Sequence, residues 1–341
     1  MKRAKTKPVR FGVIGAAGIG TEHLRQLHKL CQKGYARIEA VMDRCDQVAQ
    51  VAARQYQCAA YKDVQEMLKQ KDIDVVSICA PSGLHGELTE LAAKAGKHVV
   101  VEKPMEISIA KAEEMVRICE AEGVLLSVIY QNRFAEDVQL LRSLLAQGTL
   151  GKPVMINGAV QWYRTQEYYD SSVWRGTWAL DGGGAVMNQG IHTVDLMLYL
   201  FGEYSSVKGQ IATLGHERIE VEDTAVSIVE FQSGSLGVLS TTTCAYPGYH
   251  VRIEVIGSKG TAKLEDNQLV SLNTTDGLTL DQLKQKTMSD ELNLHGRQYL
   301  QMIKAINGEE RLYVDGKEGL RALYLIDELY KGRITCNEQM V

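Results

Sequence analysis

The sequence predicts an α/β fold in two domains, and three observations carry that prediction. Up to about Tyr130, short apolar runs alternate with helical stretches, the pattern of a doubly wound parallel sheet. Beyond it, several strand-like runs follow one another with short turns, the pattern of an α+β domain with an open, largely antiparallel sheet. The chain, at 341 residues, is also too long for one ordinary core. The expected domains are 1–130 and 131–341.

Each element follows from its local pattern. "VRFGVIG" is an apolar run closed by glycine, and a helical pattern continues to Leu30. "ARIEAVMD" reads as the second strand, "DVVSICA" and "KHVVVEK" as the fourth and fifth, and "GVLLSVIY" closes the series. These runs are too apolar to have a wet face, so helices must cover both sides of the sheet. "HGELTELAAKAG" and "IAKAEEMVRICEAEG" supply such helices, each with a glycine near its end. A helix at about Phe134 to Leu145 then leads into "GKPVMINGAVQWY". Ala185 to Phe201 reads as one further helix, apolar around most of its circumference and therefore buried. The runs "SSVKGQIATL", "TAVSIVEF", "GSLGVLSTTT", "HVRIEVIG" and "GTAKLED" follow as strands. Helices near Leu294 to Ile306 and Glu318 to Tyr330 finish the chain.

Composition narrows the function classes. Apolar content of 45% and charged content of 23% are ordinary for a globular chain, and the net charge of −4 gives nucleic acid or an anionic membrane no purchase. No apolar segment follows the basic start "MKRAKTKPVR", and no run reaches the length of a spanning helix. A cytoplasmic protein with neither nucleic-acid nor membrane partners is expected. Seven scattered cysteines, without a C-x-x-C pair, suit reduced thiols and no metal site.

The first chemical signal is "VIGAAGIG". Gly15, Ala17 and Gly20 stand at G-x-G-x-x-G spacing, with Gly18 and Ile19 between the last two. A tight turn and free N–H groups at a helix N-terminus suit a dinucleotide diphosphate, although the Ala17 methyl lies where a glycine would give closer approach. Asp43 ends the second strand, 23 residues after Gly20. Its carboxylate can accept from ribose hydroxyls and repel a 2′-phosphate, which favours NAD; a helix N-cap is the alternative. Arg44 beside it can stack on adenine or pair with a 2′-phosphate, so NADP is possible. The second signal is "VVVEKPM", where the fifth strand delivers Glu102 and Lys103 to the crevice outside the strand ends. Pro104 keeps Lys103 out of a helix. Ala80, Pro81, Ser82 and His85 follow the fourth strand and should approach the nicotinamide ribose and diphosphate; Gln131 and Asn132, after the sixth, should do the same.

The third signal lies in "GGGAVMNQGIHTVDLMLYLFG". Asn188, His192 and Asp195 fall at i, i+4 and i+7, with Tyr199 one turn on, as a single polar stripe. Buried polar groups need partners or a wet cavity. Before the helix, "QWYRTQEYYDSSVWRG" offers aromatic faces to a sugar ring, and its Arg164 and Arg175 can clamp a carboxylate or phosphate. Tyr163 and Arg164 can equally form a dimer contact.

"GAAGIG", the "EKP" of "VEKPM" and the "GGGAVMNQGIHTVDL" helix, in that order, resemble the Gfo/Idh/MocA family of glucose–fructose oxidoreductases and inositol dehydrogenases. "WRGTWALDGGGAVMNQGIH" looks most like the family's UDP-N-acetylglucosaminuronate 3-dehydrogenase branch. The resemblance implies an N-terminal Rossmann domain, an open-faced sheet domain, a catalytic pair at Lys103 and His192, and Trp174 with Arg175 near cofactor and substrate. Inositol dehydrogenases usually carry Asp where this chain has Asn188, which favours sugar nucleotides and glycosides over inositol. A homodimer or homotetramer through the open sheet is expected.

Oxidising an alcohol removes a hydride from carbon and a proton from oxygen. Histidine titrates near working pH, so His192 is assigned as base and Lys103 as the cation beside the developing alkoxide; the reverse assignment is also chemically sound. Asn188 would orient the hydroxyl, and Asp195 would orient His192 or bind a second hydroxyl. The expected function is oxidation of a secondary hydroxyl, at C3, of a sugar, glycoside or sugar nucleotide. Two alternatives are glycoside cleavage through transient C3 oxidation and a non-catalytic NAD(P)-binding regulator.

Overall fold

The computed structural model describes residues 7–283 and 291–332. The chain divides into two compact units, Met1–Gln131 with Ser289–Leu320, and Asn132–Met288 with Arg321–Val341. The chain crosses between the units after Gln131 and returns to the first unit over Ser289–Leu320.

The first unit contains β1 (Val9–Ile14), α1 (Ile19–Gln32), β2 (Ala36–Met42), α2 (Asp46–Tyr56), β3 (Ala59–Tyr61), α3 (Val64–Leu68), β4 (Val75–Ile78), α4 (His85–Lys94), β5 (His98–Val101), α5 (Ile109–Ala121) and β6 (Leu126–Val128). Its six strands are parallel in the order β3-β2-β1-β4-β5-β6. That is the doubly wound arrangement in which the order reverses beside β1 and a crevice opens at the strand ends. Phe11, Val13, Val75, Val100 and Leu27 are buried in its core. β3 is only three residues long and half-exposed, so no apolar run announces it in the sequence.

The second unit contains α6 (Glu136–Ala146), β7 (Pro153–Gln161), α7 (Gln166–Asp170), α8 (Ile191–Phe201), β8 (Tyr204–Ala212), β9 (Thr224–Phe231), β10 (Leu236–Thr242), β11 (Arg252–Gly257), β12 (Gly260–Glu265), β13 (Gln268–Thr274) and α9 (Leu280–Leu283). Its sheet runs β13-β12-β11-β7-β10-β9-β8, antiparallel except for the parallel pair β7–β10. α8 packs close on β7 because Gly158 leaves room: a Cβ there would lie 2.8 Å from Met197 and Thr193 side-chain atoms. The opposite face is open. Along β9 buried and exposed residues alternate, leaving Val226 and Ile228 53% and 60% exposed, and Leu236 of β10 joins them on that face at 50%.

Two helices close the chain, α10 (Leu294–Ile306) and α11 (Gly316–Lys331). α10 was expected in the second domain, but Tyr299, Met302 and Ile303 lie in the core of the first unit. Tyr299 meets Phe11 edge-on at 5.6 Å. Amphipathic spacing marks a helix and its apolar face without saying which core receives it.

Candidate active site

In the first unit the turn after β1 is shaped for close backbone approach. Gly15 has φ of +84°, and a Cβ there would lie 2.6 Å from the Cys79 carbonyl oxygen. A Cβ on Gly20 would lie 1.8 Å from the Gly15 carbonyl oxygen. Only glycine fits either position. Ala17, Gly18 and Ile19 are exposed on the rim of this turn, which opens α1, so the start of α1 and the glycine turn suit a dinucleotide diphosphate. Asp43 stands beside it: one carboxylate oxygen accepts the Ala16 N–H at 3.0 Å and the other the Cys45 N–H at 2.9 Å. Cys45 is the N-cap residue of α2, so the alternative of Asp43 as N-cap does not hold. Arg44 is exposed next to it.

The turns after β4 and β5 are braced against each other. Ser82 is buried in a short 3₁₀ turn that follows Ala80 and Pro81. His85 was expected to approach the cofactor. Instead its imidazole is buried, with Nδ1 2.8 Å from the Pro104 carbonyl and Nε2 2.8 Å from the Ala80 carbonyl. Both ring nitrogens are thus committed to the turns that carry Ala80 and Lys103. Glu102 also departs from expectation: its side chain points into the unit, where Oε1 lies 2.7 Å from His23 Nε2 and Oε2 accepts the Lys103 N–H at 3.0 Å. Burial would raise this carboxyl, but the hydrogen bond and charge of His23 outweigh it and hold it at about 2. Lys103 is the second residue after β5, half-buried, at a cis peptide to Pro104. Gln131, half-buried, begins the short 3₁₀ turn after β6, with Asn132 next to it.

In the second unit the predicted single helix is two pieces. Ala185–Gly190 is a π-helical stretch, and α8 starts only at Ile191. Glu222 holds its entrance: the carboxylate accepts the N–H groups of Gly184 and Val186, each at 2.9 Å, and the Tyr330 hydroxyl at 2.9 Å. Burial pushes this carboxyl up, and the two N–H donors work against it. A Cβ on Gly184 would lie 1.8 Å from the Glu222 carbonyl oxygen, which accounts for one glycine of the triplet.

The polar stripe divides at this helix. Asn188 donates to Asp181 and accepts from Gln189 at 3.1 Å. His192 is half-buried on the first turn of α8. Asp195, expected at the substrate, is corrected by its partner: it is 1% exposed and takes Arg133 bidentately, at 2.9 and 2.6 Å. Tyr199 lies beneath the same arginine, 5.0 Å from ring centroid to guanidinium. The upper half of the stripe belongs to a polar chain, and the lower half to a buried ion pair.

That chain continues into the aromatic segment. Gln189 reaches Arg164 at 3.5 Å and the Tyr168 hydroxyl at 3.4 Å. Arg164 stacks on Trp162 and Tyr168, and Arg175 on Tyr168 and Trp174, with guanidinium-to-centroid distances between 4.6 and 5.2 Å. Neither arginine has a carboxylate partner among the described residues. Tyr163 is 40% exposed and meets Tyr246 edge-on at 5.2 Å. Sequence reasoning missed Gln189 and His216. The His216 ring spans from Asp223 (3.1 Å) to the Arg164 carbonyl (3.0 Å) and so anchors the arginine's backbone. Nothing local marks His216, because its partners come from elsewhere in the chain.

The six cysteines among the described residues are free, and Cys336 lies outside them. Among the described residues no helix is long and apolar enough to cross a membrane.

Two family models cover most of the chain. Residues 9–130 match the oxidoreductase family's NAD-binding Rossmann fold, and residues 138–263 match the GFO/IDH/MocA C-terminal domain. The chain is 32% identical to myo-inositol 2-dehydrogenase of Thermotoga maritima over 74% of each chain. It is 28% identical to D-glucoside 3-dehydrogenase of Escherichia coli over 98% of each. The WlbA dehydrogenase of Bordetella pertussis, solved with NADH and UDP-GlcNAcA, superposes with a TM-score of 0.86 at 32% identity, covering 95% of this chain and 96% of that one.

Proposed function

The chain belongs to the GFO/IDH/MocA oxidoreductase family, and on that premise we propose oxidation of a secondary hydroxyl, at C3, of a sugar, glycoside or sugar nucleotide. It is an NAD(P)-dependent oxidoreductase acting on CH–OH, within a family of sugar and polyol dehydrogenases. The observation that carries the finer reading is the 32% identity, over 95% of this chain, to a dehydrogenase solved with a sugar nucleotide. The C3 position is supported by the glucoside 3-dehydrogenase likeness.

NAD, when bound, supplies the hydride acceptor. In our reading His192 takes the hydroxyl proton and the Lys103 ammonium stabilises the oxygen as negative charge develops on it. Asn188, held by Asp181 and Gln189, orients the hydroxyl. Arg164 and Arg175 bind the substrate beyond the reacting carbon, and Tyr163 either joins them or lies in a contact between copies. Asp43, Arg44, Ser82, Gln131 and Trp174 line the cofactor. Two copies meet through the open sheet face, whose Val226, Ile228 and Leu236 are half-exposed or more. We place the protein in the cytoplasm.

A panel of sugar nucleotides, glycosides, sugar acids and inositols with NAD tests this reading. A keto sugar as product supports it. Release of free sugar would indicate glycoside cleavage through transient oxidation. No turnover with any class, while NAD still binds, would indicate a regulator.

A further inference from the structure

The side chain of Glu102 belongs to a network in the first unit that the proposed reaction does not use. His23 of α1 is fully buried: its Nε2 meets Glu102, and its Nδ1 lies 2.6 Å from the Tyr299 hydroxyl of α10. Tyr299 in turn meets Ser77 of β4, whose Oγ lies 3.8 Å from Cys79 Sγ. His295 of α10 lies 3.8 Å from Glu102 and 5.2 Å, ring to ring, from His23. Burial opposes charge on His23, but Cys79, Tyr299 and Glu102 outweigh it and raise the imidazole well above its ordinary range. Burial, followed by the charge of His23, lowers His295 to about 4 and keeps it neutral. The network is therefore built on one buried ion pair, His23 with Glu102.

A buried ion pair is weak evidence for stability, since apolar residues of similar volume often serve as well. What distinguishes this one is where it ends. The second oxygen of Glu102 takes the backbone N–H of Lys103, and the charges of Lys103 and Glu102 act on each other. We propose that Glu102, clamped by His23, is a positioning residue for Lys103: it fixes the turn that presents the lysine and adds a negative charge to its surroundings. The carboxylate favours the ammonium form. The inference rests on the reading of Lys103 as the cation of the reaction, and it selects that role for Lys103 over that of base. It also joins the helix that opens at the phosphate turn to the turn that carries the catalytic lysine.

The test needs no substrate. Competitive labelling with acetic anhydride from neutral to alkaline pH, read residue by residue by mass spectrometry, gives the titration midpoint of each lysine. Glu102→Gln should lower the Lys103 midpoint by about one pH unit and leave exposed Lys69 unchanged. If that variant does not fold, His23→Gln with Glu102→Gln provides an uncharged pair of similar shape and should lower the midpoint too, by less, because a positive charge leaves with the negative one. An unmoved Lys103 midpoint in a folded variant overturns the proposal. With a substrate found in the panel, Glu102→Gln should lower kcat about tenfold with KM for NAD within about twofold. Lys103→Ala separates the two claims: its full turnover would overturn the role of Lys103 in the reaction, whereas labelling alone decides whether Glu102 governs the lysine.

Discussion

Asp43 accepts two backbone N–H groups, those of Ala16 and Cys45. Its carboxylate is thus oriented by the glycine turn itself, and in the proposed reading it discriminates against a 2′-phosphate. Asp43→Ala should narrow the preference for NAD over NADP and weaken NAD as the turn loses its acceptor; the ratio of the two dissociation constants checks this. An unaltered protein that binds NADP more tightly than NAD would contradict the assignment. Lys103→Ala and His192→Ala should each lower turnover by about 10²-fold or more, with NAD affinity little changed in the histidine variant. Steady-state kinetics beside NAD titration separates the two effects. At this scale the sequence showed which residue types reach the strand ends and the helix face. It did not show their partners. Asp195 is claimed by Arg133, Glu102 by His23 and His85 by two carbonyls, and in each case a group that reads as a ligand for a small molecule is a ligand for the protein.

Among the elements, the glycine triplet and α8 have a shape that the residue pattern only partly conveys. The i, i+4 stripe suggests one regular helix, yet the π-helical stretch precedes α8 and Glu222 fixes its entrance. No apolar period encodes a wide turn, because the signal lies in glycines that admit a carbonyl oxygen. Gly184→Ala should therefore be destabilising by several kcal/mol, on the order of 3, since the new Cβ would overlap backbone that cannot move away. Urea denaturation measures it; a loss below about 1 kcal/mol would show that the entrance can relax. α10 makes a pH-dependent contribution. His295 has an ordinary value of 6.5 and is lowered in the fold to about 4. Between those values the unfolded chain binds a proton that the folded chain refuses, so stability falls as the pH falls, by up to about 1.4 kcal/mol per unit. Thermal midpoints from neutral pH to mild acid should decline less steeply in His295→Asn. Equal slopes would remove His295 as the cause.

For the molecule as a whole, alternation of runs and change of texture were enough to read both sheets except their edge strands β3 and β13, since strand periodicity and turn residues are local signals. Assembly is the first matter decided at this scale. The open face with Val226, Ile228 and Leu236 should bury against a second copy, and light scattering should give at least twice the chain mass. Ile228→Lys should shift the protein toward monomer without loss of fold; an unchanged mass would move the interface elsewhere. The return of α10 to the first unit is the other such matter, and no local signal reveals it. Its consequence appears when the chain is recombined with a relative. A cofactor half cut at Gln131 would leave Phe11 and His23 without Tyr299, and Leu24 and Leu27 in a core lacking Met302 and Ile303. A single crossover would therefore seat a foreign helix on that core, and a working graft needs two junctions, the second enclosing α10.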